Sequence, residues 1–186
     1  MALCPNGADR MNLFALVVYI PMPLASFLDD LRKELVPGCM PRAHVTILPP
    51  RPLEADLTHA LTHARATVGG FAPFDIQAAD IEIFPATDVI YLNIKEGERE
   101  LREMYHALNH GPLAFREPFP YHPHITLAQD LAPEQVKPLY DLARQRWASF
   151  KHSRKFHADR TCFVQSRDAC TWEDLAEIKL AGVPVG

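Results

Sequence analysis

Two short stretches of the chain share one pattern: RAHVTIL at residues 42–48 and HPHITLA at residues 122–128. In each stretch a histidine is followed by a β-branched residue, a threonine and an aliphatic residue. This composition favours an extended strand, in which side chains two positions apart project from the same face. The histidine and the threonine therefore share one face, and the aliphatic residues share the other and face a core. The residues on the polar faces are His44, Thr46, His124 and Thr126.

The chain around these stretches is a repeat of one arrangement. The periodicity of apolar residues predicts strand 13–20, helix 24–35, strand 43–48, helix 53–68, strands 74–78 and 81–84, strand 90–94, helix 101–108, strand 124–128, helix 136–147 and strands 160–166 and 172–180. Pro49-Pro50 is expected to close the first short strand, and Pro138 to begin or break the last helix. The order strand, helix, strand, helix, strands thus occurs twice without a polar linker, which predicts two lobes packed face to face.

Composition limits the classes of protein that fit. The 186 residues carry 19 basic and 23 acidic side chains, a formal net charge of -4. This balance argues against a protein that coats nucleic acid by bulk charge but permits a pocket for a nucleotide or a strand end. The longest apolar run, residues 13–20, is too short to span a membrane, and the N-terminus lacks a secretory core, so we expect a cytoplasmic protein. Four cysteines without a C-x-x-C spacing are expected to be reduced and structural.

The paired polar faces predict a particular chemistry. If the two halves pack about an approximate two-fold axis, two imidazoles and two hydroxyls converge on one cleft. Because histidine titrates near pH 6.5, one ring can be neutral and accept a proton while the other is protonated and donates one. Threonine hydroxyls can donate hydrogen bonds to non-bridging phosphoryl oxygens. In-line displacement at a phosphodiester needs these groups and no metal, whereas the sequence contains no G-x-S-x-G element for acyl chemistry.

The motifs HVTI at 44–47 and PHITL at 123–127 resemble the paired H-x-T-x motifs of the two-histidine (2H) phosphoesterase superfamily, and most closely its bacterial 2′-5′ RNA ligase-like members. The resemblance covers nearly the whole chain, including YHP at 121–123 before the second motif. It implies a bilobal α+β fold, with two antiparallel-type sheets facing a central cleft and helices outside. It also implies one domain over residues 1–186.

Within this domain we expect lobe halves of roughly 11–86 and 87–186, with strand exchange between the lobes allowed, and a loose tail at residues 1–10. The resemblance implies hydrolysis of cyclic phosphodiesters, such as nucleoside 2′,3′-cyclic phosphate ends, and reversible 2′-5′ RNA ligation. It implies no metal and no cofactor. The expected partner is an RNA end or a nucleotide with a cyclic phosphate, with no membrane and no obligate protein partner.

The predicted catalytic residues are His44, Thr46, His124 and Thr126. We expect His124 to activate water and His44 to protonate the leaving ribose oxygen. Ligase-like members often carry an arginine after the second motif where this chain has Gln129, so Arg51 is the candidate for a phosphate clamp. Tyr121 is the candidate for stacking on a base.

Two alternatives and one further residue stay open. A non-catalytic module that binds a nucleotide or an RNA end would use the same residues. A zinc hydrolase would use His59 and His63, which lie four apart on a predicted helix but lack an H-E-x-x-H pattern. His122, two residues before His124, is a candidate for the rim of the cleft.

Overall fold

The structure is a computed structural model that describes residues 12–40, 42–167 and 171–182. The expected tail at residues 1–10 lies outside these ranges, as do Cys4 and Cys170. The strands and helices are β1 (Leu13–Tyr19), α1 (Leu24–Leu35), β2 (His44–Pro52), α2 (Leu57–Gly69), β3 (Phe74–Ile83), β4 (Ile90–Glu96), α3 (Glu98–Leu108), a 3₁₀ turn (Gly111–Leu113), β5 (His124–Ala128), α4 (Pro133–Ser149), β6 (Lys155–Ala158), β7 (Arg160–Ser166) and β8 (Trp172–Lys179). Cys39 and Cys162 are free thiols.

The strands form two four-stranded sheets, in the orders β2-β1-β7-β8 and β5-β4-β3-β6. Every neighbouring pair is antiparallel. The predicted α+β class with two antiparallel sheets is therefore confirmed. β3 comes from the first half of the chain and lies in the second sheet, while β7 and β8 come from the second half and lie in the first.

The two strands that carry the motifs, β2 and β5, each lie at the edge of their sheet. β2 continues to Pro52, so the prediction that Pro49-Pro50 closes it was wrong. An edge strand tolerates proline because the missing N–H can face away from the ladder. The pairing of β1 with β2 shifts register on either side of Leu16, so the extra residues are taken up as irregularities in the strand.

Several other boundaries differ from the prediction. Helix α2 begins at Leu57 rather than at residue 53, because the Asp56 side chain accepts a hydrogen bond from the backbone N–H of His59. Helix α4 begins at Pro133 and runs through Pro138, so the expected start or break there was wrong. β3 is one strand with a register irregularity where two strands were predicted. β6 was not predicted, because four residues carry too little alternation to stand out.

The aliphatic faces of the motif strands form part of the main hydrophobic core. Val45, Ile47, Ile125 and Leu127 are all buried within it, and the apolar face of α1 packs there too. The burial pattern of residues 43–48 is the same, position by position, as that of residues 123–128. The predicted division of each strand into a core face and a polar face is therefore confirmed.

A smaller apolar cluster lies on the opposite face of the first sheet. It consists of Ala15, Val17, Cys162 and Val164, with Tyr19 packed against it. Tyr19 pairs with His44 and Val17 pairs with Thr46 in the antiparallel register, so this cluster borders the polar face of β2. No helix within the described ranges is long and apolar enough to cross a membrane.

Candidate active site

The sheets bring the two polar faces together. β2 and β5 contact each other although they belong to different sheets. His44 and His124 are close enough that a positive charge on His124 lowers the pKa of His44. Thr46 and Thr126, two residues further along each strand, are half-buried like the histidines. The two motif strands therefore meet, with the two histidines within electrostatic range of each other and each threonine on the same strand face as its histidine.

Both motif histidines make the same hydrogen bond. Nδ1 of His44 lies 2.7 Å from the carbonyl oxygen of Arg42, and Nδ1 of His124 lies 2.7 Å from that of His122. A carbonyl only accepts, so the proton of each neutral ring is on Nδ1 and Nε2 is left with a free lone pair. Nε2 lies on the side of the ring away from this carbonyl. The unprotonated Nε2 of each ring can therefore accept a proton from a bound molecule.

The local environment favours the neutral form of both rings. Burial lowers the pKa of His44 to about 4, against the hydrogen bond to Arg42, and nearby positive charges lower it further. Burial also lowers the pKa of His124, against the hydrogen bond to the His122 carbonyl, and a positive charge on the His122 ring lowers it further. The sequence suggested one neutral and one protonated ring at pH 7, whereas the lowered pKa values favour the neutral form of both rings in the unliganded protein. A bound phosphate anion would raise both pKa values, because an anion stabilises an imidazolium nearby.

Aromatic side chains surround the second histidine. The rings of Phe84 and Tyr91 stack with their centroids 3.8 Å apart. His124 packs edge-on against both, at centroid distances of 5.0 Å from Phe84 and 5.4 Å from Tyr91. His122 also packs edge-on against the same pair, at 5.3 and 5.6 Å. His122 thus shares the aromatic wall of His124.

Tyr121 links the two motif strands. Its hydroxyl donates a hydrogen bond to the carbonyl of Thr46 at 2.9 Å, and its ring stacks on Tyr105 with the centroids 4.2 Å apart. Burial raises the pKa of this hydroxyl. The face of Tyr121 that Tyr105 covers is not available to a base, so the observed contacts are structural ones.

Arg51 lies in the interior instead of the cleft. Its side chain is 1% exposed and pairs with Glu117 at 2.5 Å. The remaining contacts go to the carbonyls of Pro49 and Leu113 and to the side chain of Asn109, at 2.7 to 3.0 Å. These contacts occupy the guanidinium with protein groups. The side chain points inward because the pairing of β2 with β1 shifts register before Arg51. We therefore leave Arg51 out of the substrate-binding site.

The zinc alternative gains no support. The residues that the structure describes contain no group of three histidine, cysteine or acidic side chains placed to hold a metal ion. His59 and His63 are close enough that a charge on His59 lowers the pKa of His63. Both residues lie on α2, which packs against α3 and the 3₁₀ turn. They therefore lie on a different element from the motif strands β2 and β5.

The structure also places residues at the site that the sequence did not single out. Tyr19 lies opposite His44 and Asn93 lies opposite His124 in the strand pairing. Asp174, from the far end of the chain, bonds to Tyr19. The register of β1 with β2 and of β4 with β5 would have identified the first two, but it depends on pairing that a single sequence does not reveal.

Comparison with solved structures identifies the fold. A protein of Thermus thermophilus superposes with a TM-score of 0.65 at 18% identity, covering 91% of this chain and 98% of that one. E. coli LigT in complex with 3′-AMP superposes with a TM-score of 0.63 at 15% identity, again covering 91% and 98%. The two sheets with their edge strands therefore have the LigT fold.

The family follows from the sequence comparison. The family model described as the 2′-5′ RNA ligase superfamily matches residues 20–169, and the chain belongs to this superfamily. An inferred phosphoesterase of Halalkalibacterium halodurans is 25% identical over 139 residues, 74% of this chain and 78% of that protein. An inferred phosphoesterase of Oceanobacillus iheyensis is 27% identical over 147 residues, 77% of this chain and 79% of that protein. The resemblance predicted from the two motifs is confirmed.

Proposed function

We propose that the protein is a metal-independent phosphoesterase of RNA or of a nucleotide. Its substrate is either a cyclic phosphodiester of the 2′,3′ type or a 2′-5′ phosphodiester. The observation that carries the proposal is the matched hydrogen bonding of His44 and His124, which leaves an unprotonated Nε2 on each ring. Membership of the 2′-5′ RNA ligase superfamily supports the reaction class. The names of the relatives, and the 3′-AMP in the LigT complex, agree with a phosphoester of a nucleotide as substrate.

In the proposed reaction, one Nε2 accepts a proton from water as the water oxygen bonds to phosphorus. The other ring, protonated at Nε2, gives its proton to the ribose oxygen as the bond from that oxygen to phosphorus breaks. The hydroxyls of Thr46 and Thr126 donate to the non-bridging oxygens. When a 5′-hydroxyl takes the place of the water, the same two proton transfers open a 2′,3′-cyclic phosphate. The 5′-oxygen then bonds to phosphorus as the bond from the ribose 3′-oxygen breaks, which is 2′-5′ ligation.

Since the lowered pKa values favour neutral rings without ligand, we expect the acid to gain its proton together with the anionic substrate. The assignment of His124 as the base and His44 as the acid stays a prediction. So do the cytoplasmic location and the lack of an obligate protein partner.

The test is hydrolysis of the four nucleoside 2′,3′-cyclic phosphates and a 2′-5′ dinucleotide in excess EDTA, with the product identified by phosphorus NMR. We expect turnover with a bell-shaped pH profile. His44→Gln and His124→Gln should each lower kcat by about 10²- to 10⁴-fold, as expected for loss of a general acid or base. His59→Gln, on the surface of α2, is the matched control and should be unaffected.

Two outcomes would count against the proposal. Turnover abolished by EDTA and restored by a metal would overturn the metal-free mechanism. Tight binding of a 2′-nucleotide product with no turnover of any substrate would favour the non-catalytic binding module.

A further inference from the structure

We propose that Asp174 and Glu82 are positioning residues, each of which orients one catalytic histidine through the residue two positions before it. The inference rests on the catalytic roles of His44 and His124 proposed above. Neither carboxylate bonds to a motif histidine. Asp174 holds the side chain of Arg42, whose carbonyl accepts the Nδ1 proton of His44, and Glu82 holds the side chain of His122 through the amide of Asn93.

The first chain of contacts begins at Asp174 on β8. One of its oxygens accepts a hydrogen bond from the Tyr19 hydroxyl at 2.5 Å, and the other pairs with the Arg42 guanidinium at 2.5 Å. That guanidinium lies over the Tyr19 ring, 3.3 Å from its centroid. The carbonyl of Arg42 then accepts the Nδ1 proton of His44 at 2.7 Å.

The second chain begins at Glu82 on β3. Its two oxygens accept hydrogen bonds from the Tyr91 hydroxyl at 2.9 Å and from the Asn93 amide nitrogen at 3.0 Å. The amide oxygen of Asn93 lies 3.2 Å from Nε2 of His122, which therefore donates. The carbonyl of His122 accepts the Nδ1 proton of His124 at 2.7 Å.

The two chains have the same plan. Each has a carboxylate on a non-adjacent strand of the same sheet, a tyrosine hydroxyl that donates to that carboxylate, and a nitrogen-bearing side chain anchored to it directly or through one amide. They differ in the anchored side chain, which is a guanidinium in the first lobe and an imidazole in the second. The duplication therefore extends beyond the motifs to the groups that support them.

These anchors matter because of where the accepting carbonyls lie. β2 begins at His44 and β5 begins at His124, so Arg42 and His122 precede the first ladder pair of each strand. The strand ladder therefore does not fix their carbonyls. The Arg42 carbonyl shares a planar peptide unit with the Ala43 N–H, which donates to Asp29 at 2.7 Å, so Asp29 and the Arg42 anchor hold this carbonyl together. The His122 carbonyl precedes Pro123, which has no N–H, and the adjacent backbone contact is from Arg102 to the Tyr121 carbonyl. Loss of an anchor should let the carbonyl move, so that the ring can rotate and exchange its tautomer.

The experiment reads the tautomers of His44 and His124 by long-range nitrogen–proton NMR of the full chain labelled on histidine, at pH 7.5. Signals are assigned with His44→Gln and His124→Gln. In the wild type both rings should be Nδ1–H tautomers. Asp174→Ala should give a tautomer mixture at His44 and leave His124 unchanged, and Glu82→Ala should do the reverse.

Arg42→Ala and His122→Ala test the same chains while retaining both carbonyls, and they decide the question if a carboxylate variant fails to fold. We expect the same selective loss of the Nδ1–H tautomer. For hydrolysis, each variant should lower kcat about tenfold with KM unchanged, because a misoriented group slows the chemical step more than binding.

Glu177→Gln and Glu96→Gln are the matched controls. They remove carboxylates on β8 and β4 that pair with Arg160 and Lys155 instead. Unchanged tautomers at both rings in all four anchor variants would overturn the inference. Because the NMR measurement needs no turnover, this result is distinct from a failure of the proposed function, in which the wild type hydrolyses nothing.

Discussion

Tyr121 and Thr46 are joined across the cleft by a side-chain hydrogen bond, from the tyrosine hydroxyl to the threonine carbonyl at 2.9 Å. The segment before one motif thus holds the backbone of the other. β2 and β5 lie in different sheets, so no shared sheet fixes their separation. This bond is one of the contacts that set the spacing of the two histidines.

Tyr121→Phe removes that hydrogen bond and keeps the stack on Tyr105. We expect a loss of about 1 kcal/mol in the free energy of unfolding, the usual value for one hydrogen bond. We also expect a fall in kcat of about threefold to tenfold, because the two rings are held less firmly. Urea unfolding and cyclic phosphate hydrolysis measure the two effects. Tyr140→Phe, on α4, is the control, and equal kcat in both variants would show that Tyr121 does not set the spacing.

Arg51→Met tests the structural role of the buried ion pair. Removing the cation leaves Glu117 buried and unpaired, which should lower the free energy of unfolding by about 3 to 5 kcal/mol. The double variant Arg51→Met, Glu117→Gln should recover part of that loss. The KM of both variants should equal that of the wild type under conditions in which the variants are folded. A folded, stable Arg51→Met protein with a raised KM would restore Arg51 as a substrate contact.

Ligand binding should take up a proton. The pKa values of His44 and His124 are both lowered, which favours neutral rings at pH 7, and an anion between them favours protonation of one. Titration calorimetry of a nucleoside 2′-monophosphate, in buffers of different ionisation enthalpy, should show an uptake of about one proton. The His44→Gln, His124→Gln double variant corrects for the protons of the ligand itself. If wild type and double variant take up the same number, the histidines do not titrate on binding.

The lowered pKa of His44 should also affect stability in acid. The ring titrates at about 4 in the folded protein and near 6.5 when unfolded, so the unfolded chain binds more protons between these values. The free energy of unfolding should therefore fall as the pH drops from 6.5 towards 4. His44→Gln should lose less stability across this window. Urea unfolding at pH 7.5 and pH 4.5 gives the comparison, and parallel losses in the two proteins would contradict it.

The sequence predicted the strands that a local pattern of apolar residues marks. It did not predict the features that depend on how the strands pair. The bounds 124–128 and 160–166 were predicted correctly, because alternating Ile125 and Leu127 mark the first strand and the apolar run from Cys162 to Val164 marks the second. The side of β2 from which Arg51 projects depends on an irregular register with β1, which local pattern does not encode. The contact between Arg42 and Asp174 spans 132 positions, and only the folded topology brings them together.

The placement of the motifs on the outermost strands of separate sheets has an evolutionary consequence. Val45 and Ile125 lie on the opposite strand faces from the histidines, in a hydrophobic core that the two sheets share. A change in the volume of this core can therefore alter the distance between the two imidazoles. Exchanging a large interior side chain for a small one can then change this distance without touching a reacting group. Under the proposed function, selection for a larger or smaller leaving group can thus act on residues that do not contact the substrate.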